Sequence, residues 1–269
     1  LKLNLKTLLM LHYEISGNGK KPLVLLHGFM EDHTIWSDME SHFSKEFTLI
    51  KIDLSGHGKS ENNNAVNSMD FMAEKVKEVI EKLNLNKINI LGHSMGGYVS
   101  LAFAEKFPES IESLTLFFST TLADDEEKKQ IRRRSIAVID ENFETFVNAS
   151  IPNLFSNNEK DILEGKIELA KKIAKSTNKE GVKAAQLGMA ERPDRTEILE
   201  KLEAKILIIA GKYDNAVKTE NLLKVLPDKT NIKTYVLDCG HCGHWEKPTI
   251  CAEIIKTELL HNLPKKLVF

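Results

Sequence analysis

The sequence predicts an α/β protein: a mostly parallel central sheet with helices on both faces, interrupted by a helical insertion. Two observations predict it. Short apolar runs alternate with amphipathic stretches toward both ends of the chain, and the segment 120–191 holds several helical patterns but no strand candidate. The first apolar run, 22–26, ends in His27-Gly28, and a second, 47–52, ends at Asp53. Phe71, Met72, Val76, Val79, Ile80 and Leu83 recur at helical spacing within 69–83. Residues 87–91 read as a strand stopped by Gly92, 95–107 as a helix followed by Pro108, and 111–118 as a strand. Strands at 206–210 and 232–237 flank a helix near 220–226, and 249–260 reads as the last helix. Strands joined through helices run parallel, and ligands bind along the edge where their carboxyl ends gather. The expected organisation is a core of residues 1–119 and 192–269 with an insertion at 120–191. That insertion opens with Asp124, Asp125, Glu126 and Glu127, then Lys128, Lys129, Arg132, Arg133 and Arg134. Acid before base along a helix suits its macrodipole.

Composition narrows the function. The 269 residues suffice for one large domain with an insertion. A hydrophobic fraction of 42% and a charged fraction of 28% fit a soluble globular chain. The formal net charge of −2 offers no basic excess to hold a phosphate backbone, so nucleic acid is not an expected partner. No run approaches the ~20 apolar residues of a membrane span. The apolar cluster at 8–11 is too short for a signal-peptide core and lacks a small-residue cleavage site, so no signal peptide is expected. Cys239, Cys242 and Cys251 form an odd set, which fits a reducing, cytoplasmic setting better than a disulfide framework.

The chemistry lies at the strand ends. Gly92-His93-Ser94-Met95-Gly96 sits between a strand and a helix, the context of a nucleophile elbow that lifts a serine out of the sheet. Acyl transfer needs fixed N–H donors for the oxyanion of its tetrahedral intermediate. Met95, directly after the serine, is expected to supply one, and Phe29 in His27-Gly28-Phe29 the other. Asp214 follows the strand 206–210, and His241 follows 232–237, so both lie on the edge that carries Ser94. In the triad logic His241 takes the Ser94 proton while Asp214 orients the imidazole and stabilises its cation. The strand 111–118 ends in Phe-Ser-Thr-Thr with no acid at hand; Asp124 and Asp125 are the fallback carboxylates.

His27-Gly28-Phe29, the segment Asp53 to Ser60, Gly92 to Gly97, Gly211-Lys-Tyr-Asp214 and Gly240-His241 with Glu246-Lys-Pro248 occur in that order. Together they resemble the α/β-hydrolase superfamily over nearly the whole chain, and Met189 to Arg195 is similar to a stretch of its small bacterial members. The resemblance implies that 120–191 is a helical cap and that the Asp53 turn is structural. It places the base directly after a glycine with an acid five residues on. His241 meets that pattern with Gly240 and Glu246; His244, after Gly243, lies only two residues before Glu246. Epoxide hydrolases and haloalkane dehalogenases of the superfamily carry an aspartate nucleophile, so Ser94 argues against both.

The expected function is hydrolysis of a small carboxylic ester or related acyl compound through an acyl-enzyme, with no metal or organic cofactor and a small-molecule substrate as the partner. Alternatives are a triad-bearing small-molecule receptor, or a carbon–carbon hydrolase, lyase or perhydrolase of the same fold. A zinc site built from Cys239, Cys242, Cys251, His241 and His244 is a further rival. Phe143, Phe146, Phe155 and Met189 are candidate pocket residues. Arg192, Arg195 and the basic run from Lys128 are candidate carboxylate anchors, though such a run more often forms a solvated helix face.

Overall fold

The computed structural model describes residues 10–260. Seven strands form one sheet: β1 (Tyr13–Ser16), β2 (Lys21–Leu26), β3 (Phe47–Ile52), β4 (Ile88–His93), β5 (Ile111–Phe117), β6 (Lys205–Gly211) and β7 (Ile232–Leu237). Their spatial order is β1-β3-β2-β4-β5-β6-β7, and every pairing is parallel except β1 with β3. The central strands read as apolar runs because helices cover both faces of the sheet; all six residues of β4 are buried. One row of the register runs Leu26, Gly92, Leu116, Ile208, Thr234. The chain leaves the sheet shortly beyond that row at His27-Gly28, Ser94, Asp214 and His241, which brings all four segments to one edge.

Strand β1 carries no sequence signal of its own. Tyr-Glu-Ile-Ser is four residues long, partly exposed and without an apolar run. It is an edge strand fastened at its start: Asp53 N–H donates to the His12 carbonyl at 2.9 Å, and the His12 N–H donates to Ser60 Oγ at 2.8 Å. Fully buried Asp53 accepts the backbone N–H groups of His33 (2.8 Å) and Lys59 (3.0 Å) and meets the rings of His12 and His33. Its carboxylate organises the turn that follows β3, the structural role expected of it.

Helices α1 (Ser37–Phe43), α2 (Met69–Lys82) and α3 (Met95–Lys106) belong to the first half of the core. Helices α4 (Glu126–Ser150), α5 (Glu164–Ser176) and α6 (Lys179–Glu191) fill the segment after β5. The second half adds α7 (Thr196–Lys201), α8 (Thr219–Val225), α9 (Gly243–Glu246) and α10 (Pro248–Leu260). Met72, Val76 and Ile80 of α2 pack with Val99 and Phe103 of α3 in one apolar layer, while Trp36, Phe43, Phe117 and Ile255 belong to the other. Side chains cap three of these helices: Ser68 accepts from Phe71 N–H, Asp125 from Lys128 N–H and Asn178 from Gly181 N–H. Helix α4 breaks at Asn142 (φ −154°, ψ 91°), whose side chain accepts the Thr145 N–H at 2.9 Å and so starts a second helical segment.

His57 makes the fold sensitive to acid. Its ring is fully buried, Nδ1 donates to the Ser55 carbonyl at 3.2 Å, and Nε2 has no hydrogen-bond partner among the described residues. Burial, and then the neighbouring His27, push its pKa from 6.5 down to about 3. The unfolded chain therefore binds a proton that the folded chain refuses. This group's contribution to stability is complete above pH 6.5 and is lost as pH falls toward 3. Between pH 7 and pH 5 the expected loss at His57 is about 2 kcal/mol. Urea unfolding at the two pH values should show a smaller difference for His57→Gln than for the wild type; equal differences would show that His57 is not the sensor.

Candidate active site

Ser94 directly follows β4 at φ 50° and ψ −114°. Non-glycine residues avoid this region, at a cost on the order of 1–3 kcal/mol. Surrounding bonds hold the strained residue in place. Ser94 N–H donates to the Phe117 carbonyl at 3.0 Å, and its own carbonyl accepts from Gly97 N–H (2.9 Å) and Ser119 Oγ (2.7 Å). The two flanking glycines are required by contact. A Cβ on Gly92 would lie 2.2 Å from the Gly96 oxygen, and one on Gly96 would lie 2.4 Å from the Leu26 oxygen. The Ser94 side chain is half-buried and faces a cavity of about 540 Å³, which Phe29, Met30 and His241 also line. Met95 is the first residue of α3, so its N–H has no acceptor within the helix.

The structure joins His241 to Asp214: His241 Nδ1 lies 2.7 Å from Asp214 Oδ2, and both residues are buried. The other carboxylate oxygen accepts the N–H groups of Ala216 and Val217, each at 2.8 Å. A carboxylate facing Nδ1 keeps the proton there and leaves Nε2 as the basic nitrogen. The His241 N–H donates to the Leu154 carbonyl at 2.7 Å. Glu246 holds the same loop by accepting N–H groups from Gly240 (2.9 Å), Cys242 (3.1 Å) and Ser156 (3.1 Å). The acid five residues after the histidine was visible in the sequence as a pattern; what it does is brace the loop.

His244 takes a different place. It is fully buried, its ring centroid 4.3 Å from that of Trp245 and 4.6 Å from that of His93, and neither ring nitrogen has a hydrogen-bond partner among the described residues. Burial, then His93, hold its pKa well below the ordinary histidine range. The fallback acids are also engaged elsewhere. Asp124 pairs with Arg132 and, at 2.8 Å, with Arg192, while Asp125 caps α4.

Arg192 lies 3.9 Å from the centre of the Tyr98 ring, and Arg195 bonds Asp70 (2.7 Å) and Glu105 (2.8 Å), so both tie α6 and α7 to the core. From the basic run, Lys128 and Arg132 reach the cavity wall, whereas Arg133 and Arg134 are exposed. Phe146 and Met189 line the cavity. Phe155 packs in the apolar core, stacked on Trp245 at 6.0 Å, and half-buried Phe143 packs against that core without lining the cavity. The three cysteines are buried and unpaired, and burial raises all three thiol pKa values, that of Cys251 to about 12. Among the described residues, donor atoms with metal-like spacing occur in His12, His33 and Asp53 and in Glu31, His93 and His244; neither group includes a cysteine.

With this geometry in hand, the comparisons agree on the family. The profile of the alpha/beta hydrolase fold matches residues 21–248. The chain belongs to the α/β-hydrolase family and is a hydrolase of that fold. It is similar to a thermophilic esterase from Thermogutta terrifontis, solved with malate bound, at 32% identity and a TM-score of 0.87 over 93% of each chain. An enol-lactonase from Burkholderia xenovorans LB400 shares the fold at 21% identity and a TM-score of 0.85, over 93% of this chain and 96% of that one. The 2-hydroxy-6-oxononadienedioate/2-hydroxy-6-oxononatrienedioate hydrolase of Escherichia coli K12 is 27% identical over 251 residues, 88% of this chain and 86% of that protein. No helix among the described residues is long and apolar enough to cross a membrane.

Proposed function

We propose that this chain hydrolyses a small carboxylic ester or related acyl compound through an acyl-enzyme on Ser94, with His241 as base and Asp214 as its orienting acid. The observation that carries the reading is a strained serine on a strand–helix turn, lining one cavity with a histidine whose Nδ1 meets a buried carboxylate at 2.7 Å. His241 Nε2 takes the Ser94 proton as Oγ attacks the acyl carbon, and the Phe29 and Met95 N–H groups receive the oxyanion. The protonated imidazole then gives its proton to the leaving alkoxide. A water activated by the same nitrogen attacks the acyl-enzyme, releases the acid and restores Ser94. The chemistry needs no cofactor, and the three unpaired thiols support a reducing, cytoplasmic setting.

In this reading residues 120–191 form a cap over the core. Its α4 and α6 contribute Lys128, Ile131, Arg132, Phe146 and Met189 to the cavity, alongside Ser94 and His241. A cap of this kind selects substrate and excludes water. A second reading is cleavage of a dioate-type compound like those in the name of the Escherichia coli relative; Lys128 on the cavity wall favours it, while Arg132 is already paired with Asp124 and the wall also carries Asp125 and Glu127. A panel of p-nitrophenyl acyl esters, assayed beside a 2-hydroxy-6-oxo-dienedioate, tests both. Turnover of the short esters is expected. Turnover of the dioate alone would favour the second reading, and turnover of neither would count against both. On the same panel Phe146→Ala should change the order of chain-length preference while altering the rate of serine labelling by a small probe less than about threefold. Collapse of labelling in that folded variant would show the cap supplying a catalytic group.

A further inference from the structure

Three segments of the proposed machinery meet at one buried pair. Glu31 Oε2 accepts the Gly28 N–H at 2.6 Å and lies 2.8 Å from His93 Nδ1, while His93 Nε2 lies 3.0 Å from the His241 carbonyl oxygen. His93 directly precedes Ser94, and Gly28 directly precedes Phe29. Glu31 is 6% and His93 1% exposed. The fit is tight: a Cβ on Gly28 would lie 2.7 Å from Glu31 Oε2 and 2.8 Å from His93 Nδ1.

Both partners of the His93 ring are acceptors, one a carbonyl oxygen and the other a carboxylate. With the carboxylate ionised both ring nitrogens donate, and the pair is an imidazolium facing a carboxylate. Burial opposes both charges, but Glu31 together with the His241 carbonyl holds His93 above its ordinary pKa, and His93 together with the Gly28 N–H holds Glu31 down to about 2. Phe117 and Phe118 pack against the His93 ring with centroids 5.9 and 6.4 Å away, and the rings of His241 and His244 lie 5.0 and 4.6 Å away. A divalent cation bound by Glu31, His93 and His244 would have to displace the His93 Nδ1 proton, and the pair is complete without one.

Resting on the triad reading above, we propose that Glu31 and His93 are positioning residues that fix the spacing between the Phe29 oxyanion donor, the Ser94 nucleophile and the His241 loop. Neither takes part in proton transfer. The physical basis is that a shift of about 1 Å between reacting groups costs on the order of 10²-fold in rate. A buried charge pair bonded to both neighbouring loops resists that shift, because separating it leaves uncompensated charge.

The test compares three variants on the best ester of the panel. Glu31→Gln keeps two of the three contacts: an amide oxygen in place of Oε2 accepts the Gly28 N–H and the Nδ1–H of neutral His93, whose Nε2 then has no proton for the His241 carbonyl. Glu31→Ala removes the carboxylate, and His93→Phe keeps ring volume without either donor. Among variants with wild-type circular dichroism, Glu31→Gln should lose on the order of 10-fold in kcat, between the wild type and the other two variants. Glu31→Ala and His93→Phe should lose on the order of 10²-fold in kcat with KM changed less than about threefold. A wild-type kcat in folded His93→Phe, a loss confined to KM, or Glu31→Gln more impaired than His93→Phe would each overturn the proposal. If Glu31→Ala fails to fold, the other two variants carry the comparison. Fluorophosphonate labelling of the wild type at Ser94 separates the two levels: labelling with unimpaired variants sinks the positioning role and leaves the triad standing, and its absence sinks both.

Discussion

Ser94→Ala should abolish ester hydrolysis, lowering kcat on the order of 10⁵–10⁶-fold, while the protein folds as the wild type does. The rate depends on the hydroxyl because it supplies the nucleophile; the oxyanion donors and the cavity remain and account for the small residue of activity. The fold does not depend on it. The elbow is held through the Ser94 backbone, and its side chain makes no capping bond to α3. Alanine meets the same strain at φ 50° as serine does, so stability should change little. Steady-state assay on a p-nitrophenyl ester, beside thermal unfolding, measures both. A folded alanine variant keeping more than about 1% of wild-type kcat would rule out Ser94 as nucleophile.

The two histidines of the 240–246 loop should separate just as sharply. His241→Ala is expected to lower kcat by about 10⁴-fold or more, because no other imidazole among the described residues touches Asp214. Its effect on stability should be small, since Asp214 keeps two backbone N–H donors. His244→Ala should do the reverse: a rate within about tenfold of the wild type, and a lower unfolding temperature from the cavity left among Trp36, Trp245 and Phe117, worth roughly 2–4 kcal/mol. Reversed kinetic effects would mean that the base lies three residues downstream.

The motif-bearing strand ends were legible from the sequence because each combines an apolar run with a residue type that has few other reasons to be there. Gly92 to Gly96 is an example, since a Cβ on either flanking glycine would lie 2.2 or 2.4 Å from a backbone oxygen. The order of Ser94, Asp214 and His241 along the chain was readable for the same reason. Other features were not. Strand β1 is a four-residue edge strand that carries no apolar pattern. Glu31 and His93 lie 62 positions apart, and nothing local marks an acid three residues after a glycine as half of a buried pair. Arg192 and Arg195 are candidate anchors in the sequence, but in the fold Asp124 holds Arg192, and Asp70 and Glu105 hold Arg195. Phe143, Phe146 and Phe155 are alike in sequence, and only packing shows that Phe146 faces the cavity while Phe155 stacks on Trp245.

The central claim is that Ser94 is the nucleophile, and the most direct measurement is covalent labelling of the wild-type protein with a fluorophosphonate followed by peptide mapping. The account predicts one modification, on the peptide carrying Gly92-His93-Ser94-Met95-Gly96, lost in Ser94→Ala and strongly slowed in His241→Ala. Stoichiometric labelling at any other residue, or an active preparation that the probe neither labels nor inhibits, would contradict it.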